Sequence, residues 1–246
     1  MFEHRLTDSP SRKTWFEWFL LAFLAGNVNV GGWMACHRFV SHVTGFATLA
    51  GVAAEESRWL EMLGALAIPF FFLGGVVLAA LLTESERYAR GYRYAPVMLL
   101  VAALLLLVAW GGHVGYFGTF GWEARMEHDF ILLAALCGAC GLQNAAITSA
   151  SGATVRTTHL TGITTDLGLG IVRWWRKHRR HADDEAAEAR GTFLRVGTIL
   201  SFTAGGFVGA FVYAEWEYAG FLLPSMLAIY SATSATVESR AAKERG

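Results

Sequence analysis

Charge is scarce in this sequence. Only 16% of the 246 residues are Asp, Glu, Lys or Arg, whereas soluble domains carry about 25%. Basic and acidic residues balance at 20 each, so the formal net charge is zero. Nucleic-acid-binding proteins usually present a strongly basic domain or patch, so we expect no nucleic-acid partner. The basic run Arg173–His181 lies beside an apolar stretch and is typical of a cytoplasmic membrane face.

Cysteines and recognisable catalytic motifs are also scarce. The chain has three cysteines, an odd number, and none lies in an evident extracellular loop, which argues against a disulfide scaffold. Cys137 and Cys140 have C-x-x-C spacing within an apolar stretch, where small residues one turn apart favour close helix packing over a metal or redox pair. No nucleophile elbow, H-E-x-x-H or phosphate-binding loop is present. We predict no metal, no cofactor and no enzymatic activity.

Long apolar runs are abundant instead. Hydrophobic residues make up 54% of the chain, and the mean hydropathy is +0.39. A helix needs about 20 apolar residues to cross a bilayer core of about 30 Å. Six stretches reach that length: Trp15–Cys36, Trp59–Thr83, Ala95–Phe117, His128–Ser151, Thr192–Tyr213 and Trp216–Thr236. They predict an all-α polytopic membrane bundle of about six transmembrane helices, because a large soluble core does not need six stretches of this length.

A polar, glycine-containing stretch occurs twice. Ser41–Gly51 (SHVTGFATLAG) and Thr158–Gly168 (THLTGITTDLG) are identical at five of eleven positions, 117 residues apart. Three further matches occur in the same order: Gly26–Asn29 with Gly141–Asn144, Phe71–Gly75 with Phe202–Gly206, and Pro96–Leu99 with Pro224–Leu227. Matches in register predict an internal repeat. Each unit would contain three helices and one short re-entrant or broken H-x-T-G segment.

The positions of Lys and Arg predict how the two units face. If neither H-x-T-G segment crosses the membrane, 17 basic residues share the side of the termini and three lie opposite; if both cross, the count is 15 against five. The first, six-span arrangement fits the positive-inside rule better, and it makes the repeat inverted. We therefore expect cytoplasmic tails at residues 1–14 and 237–246, a first repeat at 15–117, and a second at 118–236 with a basic cytoplasmic loop at 173–191.

The polar residues at the paired breaks are the candidate ligands for a small solute or ion. Inverted repeats with interrupted helices are a recurrent transporter plan, with the site near the midplane. The candidates are Asn29, His42, Thr44 and Gly45 in the first half and Gln143, Asn144, His159, Thr161, Gly162 and Asp166 in the second.

Each candidate also has a plainer interpretation. Intramembrane carboxylates are rare and usually functional, but Asp166 could instead pair with Arg156 or Arg173 at the interface. The two histidines could bind a ligand or titrate, or they could cap a helix start. The amides could coordinate substrate or simply join helices.

Several of these runs resemble the YoaK-like family of small bacterial inner-membrane proteins, a domain family of unassigned function. The similar runs are Gly141–Ala145, Arg156–Gly162, Asp166–Gly168 and, in the first half, Phe39–Gly45. The family typically has an acidic residue where this chain has Asn29, and Asn where it has Phe46, so both departures remove polarity from the first half. The resemblance implies a six- or seven-span bacterial inner-membrane protein and supplies no substrate.

Together these features favour a transporter or channel-like facilitator. The partners expected are the lipid bilayer and a small solute or ion, with homo-oligomer formation left open. One alternative is a non-transporting membrane sensor or assembly subunit. Another is a membrane-embedded enzyme that uses His42, His159 and Asp166, which would require those side chains to lie within reach of each other.

Overall fold

The computed structural model of the protein describes residues 11–83, 94–122, 128–151, 159–175 and 182–243. Every regular element in these ranges is a helix, which confirms the all-α prediction. The α-helices are α1 (Arg12–Cys36), α2 (Val43–Glu55), α3 (Trp59–Thr83), α4 (Tyr94–His113), α5 (His128–Ala150), α6 (Leu160–Trp175), α7 (Ala182–Trp216) and α8 (Leu222–Lys243), with a 3-10 helix, η1 (Glu217–Phe221), before the last.

Five helical stretches are long and apolar enough to cross a membrane, so this is a multi-pass membrane helix protein. They are Arg12–Cys36, Glu61–Thr83, Tyr94–His113, Phe130–Ser149 and Ala186–Thr236. The last is 51 residues long and continues through α7, η1 and α8. That is more than twice the roughly 20 residues that one crossing needs. The predicted count of six spans therefore stays a prediction.

The helix boundaries follow local chemistry. Ser11 precedes α1, and its side chain accepts a hydrogen bond from the N–H of Thr14 at 3.1 Å; His37 ends the helix in the left-handed region at φ 54°. Pro96 and Pro224 are each the third residue of their helix, where a backbone N–H has no helical partner to lose. The main difference from expectation is α7, which begins at Ala182, ten residues before the apolar stretch. Its Ala- and Glu-rich start favours helix even where no membrane surrounds it.

Contacts at the two ends of the bundle give the direction of each long helix. At one end, which we call the Tyr94 end, the hydroxyl of Ser234 in α8 donates a hydrogen bond to Glu17 of α1. Tyr94, the first residue of α4, is close enough to that carboxylate for an electrostatic interaction. The ring of Phe193 in α7 packs on Trp15 and Phe19 of α1 at the same end. Helices α1, α4 and α7 therefore begin at the Tyr94 end, whereas α8 finishes there.

At the opposite end, which we call the Gly121 end, the N–H of Gly121 donates to the carbonyl of Ala35 at 3.1 Å, and Gly112 at the end of α4 lies against Tyr218 of η1. Only five residues separate Trp122 from the start of α5, so α5 starts at the Gly121 end. Helix α3 runs parallel to α5, with Gly64 near Phe130 and Gly75 near Gly138. Taken in chain order, each long helix of the first half therefore runs opposite to its counterpart in the second half: α1 opposite to α5, α3 to α7, and α4 to α8.

The two short helices do not change ends. Helix α2 lies between the end of α1 and the start of α3, both at the Gly121 end, and it packs against α3. Helix α6 lies between the end of α5 and the start of α7, both at the Tyr94 end, and it packs against α7. At about 1.5 Å per residue, the 13 residues of α2 extend about 20 Å, less than a bilayer core.

Candidate functional site

Two close helix crossings form the centre of the structure. Helix α1 packs chiefly on α7, and α3 on α5. In the first crossing, a Cβ added at Gly26 would overlap the carbonyl of Phe202, and one at Gly205 would overlap the carbonyl of Phe23. Because backbone cannot rotate aside as a side chain can, only glycine permits this approach.

The second crossing uses the same contacts. A Cβ at Gly141 would overlap the carbonyl of Phe72, and one at Gly75 would overlap the carbonyl of Gly138. One member of each adjacent glycine pair, Gly75 and Gly205, thus allows the close approach of a neighbouring helix. Gly74, which the sequence match aligns with Gly205, has nothing within 4 Å. By their contacts, Gly205 therefore corresponds to Gly75, one residue later than the Gly74 that the sequence match indicated.

Buried polar side chains join the helices near these crossings. Tyr213 of α7 donates its hydroxyl to Asn27 Oδ1 at 3.0 Å, and Asn27 Nδ2 donates to the carbonyl of Gly205 at 3.4 Å. The candidate Gln143 is 2% exposed and donates from Nε2 to the carbonyl of Leu21 at 2.7 Å. This is the interhelical role weighed for the amides. Tyr213 was missed from the sequence, because nothing in an aromatic at a span end indicates a buried partner.

Asn29 connects the first motif to α1. Its Oδ1 accepts hydrogen bonds from the Ser41 hydroxyl at 2.8 Å and from the Ser41 N–H at 3.3 Å. These bonds fix the chain immediately before His42. Since only the oxygen of the amide is used, an acidic residue at this position would offer the same acceptor. The departure from the family pattern therefore removes a charge but keeps these two bonds.

The first H-x-T-G segment is mostly at the surface of the bundle. His42 and Thr44 are exposed and Gly45 is half-buried. His42 precedes α2 but makes no capping bond through its side chain, so the capping alternative is wrong for this histidine. Its Nδ1 would lie 3.0 Å from a Cβ at Gly45, and its ring centroid is 6.1 Å from that of Phe39. Glycine at 45 thus leaves room for the imidazole.

The second segment is also exposed. His159, Thr161, Gly162 and Asp166 all lie at the surface, and Gly162 has nothing within 4 Å of a built Cβ. Thr165 donates back to the carbonyl of Thr161 at 3.0 Å, the local role that a helical threonine often takes.

The candidate Asn144, and Arg173 as a possible partner of Asp166, make local contacts. Asn144 is half-buried on α5, and its carbonyl accepts from Thr148 at 2.6 Å. Arg173 lies 4.0 Å from Glu188 of α7 rather than beside Asp166, so the expected Arg173 pairing of Asp166 is not found. Arg156 lies outside the described residues.

The described residues do not bring the two segments together. Helices α2 and α6 have no contact with each other. Within the described ranges, no three His, Cys, Asp or Glu side chains lie close enough to hold a metal ion. What the sequence reasoning missed is a buried carboxylate, Glu17, five residues into the first helix and 2% exposed. An acid inside an otherwise apolar run was the available signal.

The fold and the internal polar contacts define a polytopic helical membrane protein. A family model described as "Protein of unknown function (DUF1275)" matches residues 18–234, and the chain belongs to that family. This confirms the resemblance to a membrane family of unassigned function. No curated protein and no solved structure matches the chain.

Proposed function

We propose that the protein is a transporter or channel-like facilitator of a small solute or ion, acting through a site between two inverted three-helix repeats in the bacterial inner membrane. The observation that carries the proposal is the opposite direction of α1, α3 and α4 relative to α5, α7 and α8. A duplicated unit inserted in both directions is a recurrent plan among transporters that work by alternating access.

The glycine crossings support the repeat. Gly26 relates to Gly141, and Phe23 to Gly138, by one offset of 115, and each pair makes the same type of contact with its partner helix. The helices α2 and α6 support it further, because one enters from the Gly121 end and the other from the Tyr94 end. Each of these helices is too short to cross the membrane. One copy of the H-x-T-G motif begins at the residue before each helix, at His42 and at His159.

The orientation follows from charge. Among the described residues, Arg12, Lys13, Arg173, Arg190 and Arg195 lie in helices at the Tyr94 end, whereas Arg38 and Arg58 lie at the Gly121 end, so we assign the Tyr94 end to the cytoplasm. Of the few basic residues at the Gly121 end, Arg58 is hydrogen-bonded to Glu61 and Glu56, and these bonds hold the pKa of its guanidinium above the ordinary value. Glu56 and Glu61 thus offset the positive charge of Arg58 on the side of the membrane that is expected to carry fewer basic residues.

The enzyme alternative requires His42 to approach His159 and Asp166. His42 immediately precedes α2, whereas His159 immediately precedes α6 and Asp166 lies within it. Helices α2 and α6 do not touch. A non-transporting sensor or assembly subunit would use the same scaffold, and the distinguishing property is flux of a solute.

The test is the purified protein in liposomes, screened for thermal shifts over a panel of metabolites and ions, followed by flux of each hit. We expect Thr161→Val and Asp166→Asn to abolish the ligand response without unfolding the protein. Matched controls are Thr233→Val, where an exposed hydroxyl bonds its own helix, and Glu215→Gln at an exposed position. If both motif variants keep the full response, the site assignment is wrong; a ligand response without flux would favour the sensor.

A further inference from the structure

We infer that Glu17, with Ser234 and Tyr94, forms a proton-binding site at the Tyr94 end of the membrane domain. Glu17 belongs to α1, Tyr94 to α4 and Ser234 to α8, so the site joins three helices. It is separate from both H-x-T-G segments, and the inference concerns proton exchange rather than the solute that the protein moves.

The first argument is burial. Glu17 is 2% exposed, Tyr94 3% and Ser234 9%. A carboxylate taken out of water needs strong hydrogen bonds, or it takes up a proton. The Ser234 hydroxyl lies 2.5 Å from Glu17 Oε1, at the short limit expected for a hydroxyl and a charged acceptor.

The second argument is the chemistry of the partners. A serine or tyrosine hydroxyl can donate a hydrogen bond to a carboxylate and can equally accept one from a protonated carboxyl group. An arginine in the same place would favour only the ionised state. The Ser234 hydroxyl, which bonds Glu17 Oε1, therefore accommodates Glu17 both before and after proton uptake, with the proton carried on a carboxyl oxygen and no other bond changed.

Lys13 lies one turn earlier on the same helix, and α7 presents Phe193 toward Trp15 and Phe19. Arg195 of α7 is paired with Glu188 at 3.3 Å, and α5 presents the neutral amide of Gln143 to Leu21.

A short polar route leads from the surface to the site. Ser11 is exposed, and its hydroxyl lies 2.8 Å from that of Thr14. Thr14 is 1% exposed and one turn before Glu17, where helical side chains are neighbours. These two hydroxyls place polar groups between the surface at the Tyr94 end and Glu17, within two turns of the helix start.

The repeat indicates that the fold does not need this acid. At the offset of 115 that relates the two crossings, Glu17 corresponds to Leu132, which is fully buried. This argument alone rests on the repeat of the proposed function. An apolar residue fills the equivalent place, so the carboxyl group in the first half has a role other than filling space.

The test is an infrared pH titration of the purified protein in lipid, because a protonated carboxyl group absorbs apart from a carboxylate. We expect a protonated-carboxyl component that disappears reversibly as the pH rises over the range where the protein stays folded. This component should be absent from Glu17→Gln. It should be retained in Asp166→Asn, a control that removes an exposed carboxylate. If Glu17→Gln shows the same titrating component as the unaltered protein, the inference is wrong.

A second pair of variants covers the case in which Glu17→Gln does not fold. Ser234→Ala removes the hydroxyl at Glu17, so the midpoint of the titration should move. Ser225→Ala removes another buried hydroxyl of the same helix, one that bonds the carbonyl of Phe221 at 2.7 Å, and it should leave the midpoint in place. Equal midpoints in both variants would contradict the site, whether or not any solute is ever transported.

Discussion

Replacing Gly75 or its neighbour Gly74 by alanine should have opposite effects on stability. A Cβ at Gly75 would lie 3.0 Å from the carbonyl carbon of Gly138 and closer to its oxygen, whereas carbon atoms in good contact are about 3.5–4.0 Å apart. Helices α3 and α5 must therefore separate by at least about 0.5 Å. At Gly74 nothing lies within 4 Å, so a methyl group fits without movement.

The magnitude comes from two terms. Alanine gains about 1 kcal/mol over glycine in a helix interior, and this gain is shared by both variants. Overpacking costs about 1–3 kcal/mol, and we expect the upper end at Gly75 because the obstacle is backbone. The two variants should therefore differ by about 3 kcal/mol in the free energy of unfolding, with Gly74→Ala the more stable.

The assay is reversible unfolding of the two variants in the same mixed micelles, followed by circular dichroism. Gly26→Ala, Gly141→Ala and Gly205→Ala should match Gly75→Ala, since each added Cβ meets a backbone carbonyl. Gly206→Ala should resemble Gly74→Ala, because its nearest atom is 4.0 Å away. Equal stability of Gly74→Ala and Gly75→Ala would refute the crossing geometry.

Other changes test single contacts. Tyr213→Phe should lower stability by about 0.6 kcal/mol, and at most about 1.7, because it removes one hydrogen bond between membrane helices; the same unfolding assay measures it. Gln143→Leu should lower stability by a similar amount, since it leaves a similar volume and removes one hydrogen bond between helices, the 2.7 Å bond to the carbonyl of Leu21. Asn29→Asp should keep the segment before α2 resistant to limited proteolysis because an acceptor for Ser41 remains, whereas Asn29→Leu should make it susceptible; equal cleavage of the two would contradict the assigned bonds.

Much of the helical framework could be predicted from sequence. The stretch Trp59–Thr83 coincides with α3, and α1, α4 and α5 differ from their predicted bounds by four residues or fewer. Apolar runs of membrane length are set by solvent rather than by distant contacts, so they can be read locally. The first ten residues of α7 were not predicted to be helical, because they are charged and the prediction relied on apolar runs of membrane length.

Partner choice could not be predicted, because it depends on register between distant helices. Sequence identity did not distinguish Gly74 from Gly75, and it favoured Asn29, which aligns with Asn144, over Asn27, which aligns with Leu142. Yet Gly75 and Asn27 lie in the crossings and Gly74 and Asn29 do not. The H-x-T-G residues of both halves were named as candidate ligands of a site near the midplane, and α2 and α6 pack on different helices, α3 and α7. Glu17 lies outside the four sequence runs that match between the halves, so the repeat did not indicate it.

The opposed direction of the two halves is tested most directly by cysteine labelling in intact cells. The native thiols Cys36, Cys137 and Cys140 are buried, so they should contribute little background with a membrane-impermeant maleimide. Ser57→Cys and Ala186→Cys are exposed positions near the start of α3 and of α7, the second long helix of each half. We predict that Ser57→Cys is labelled from outside and Ala186→Cys only after permeabilisation; labelling of both from the same side would contradict an inverted arrangement.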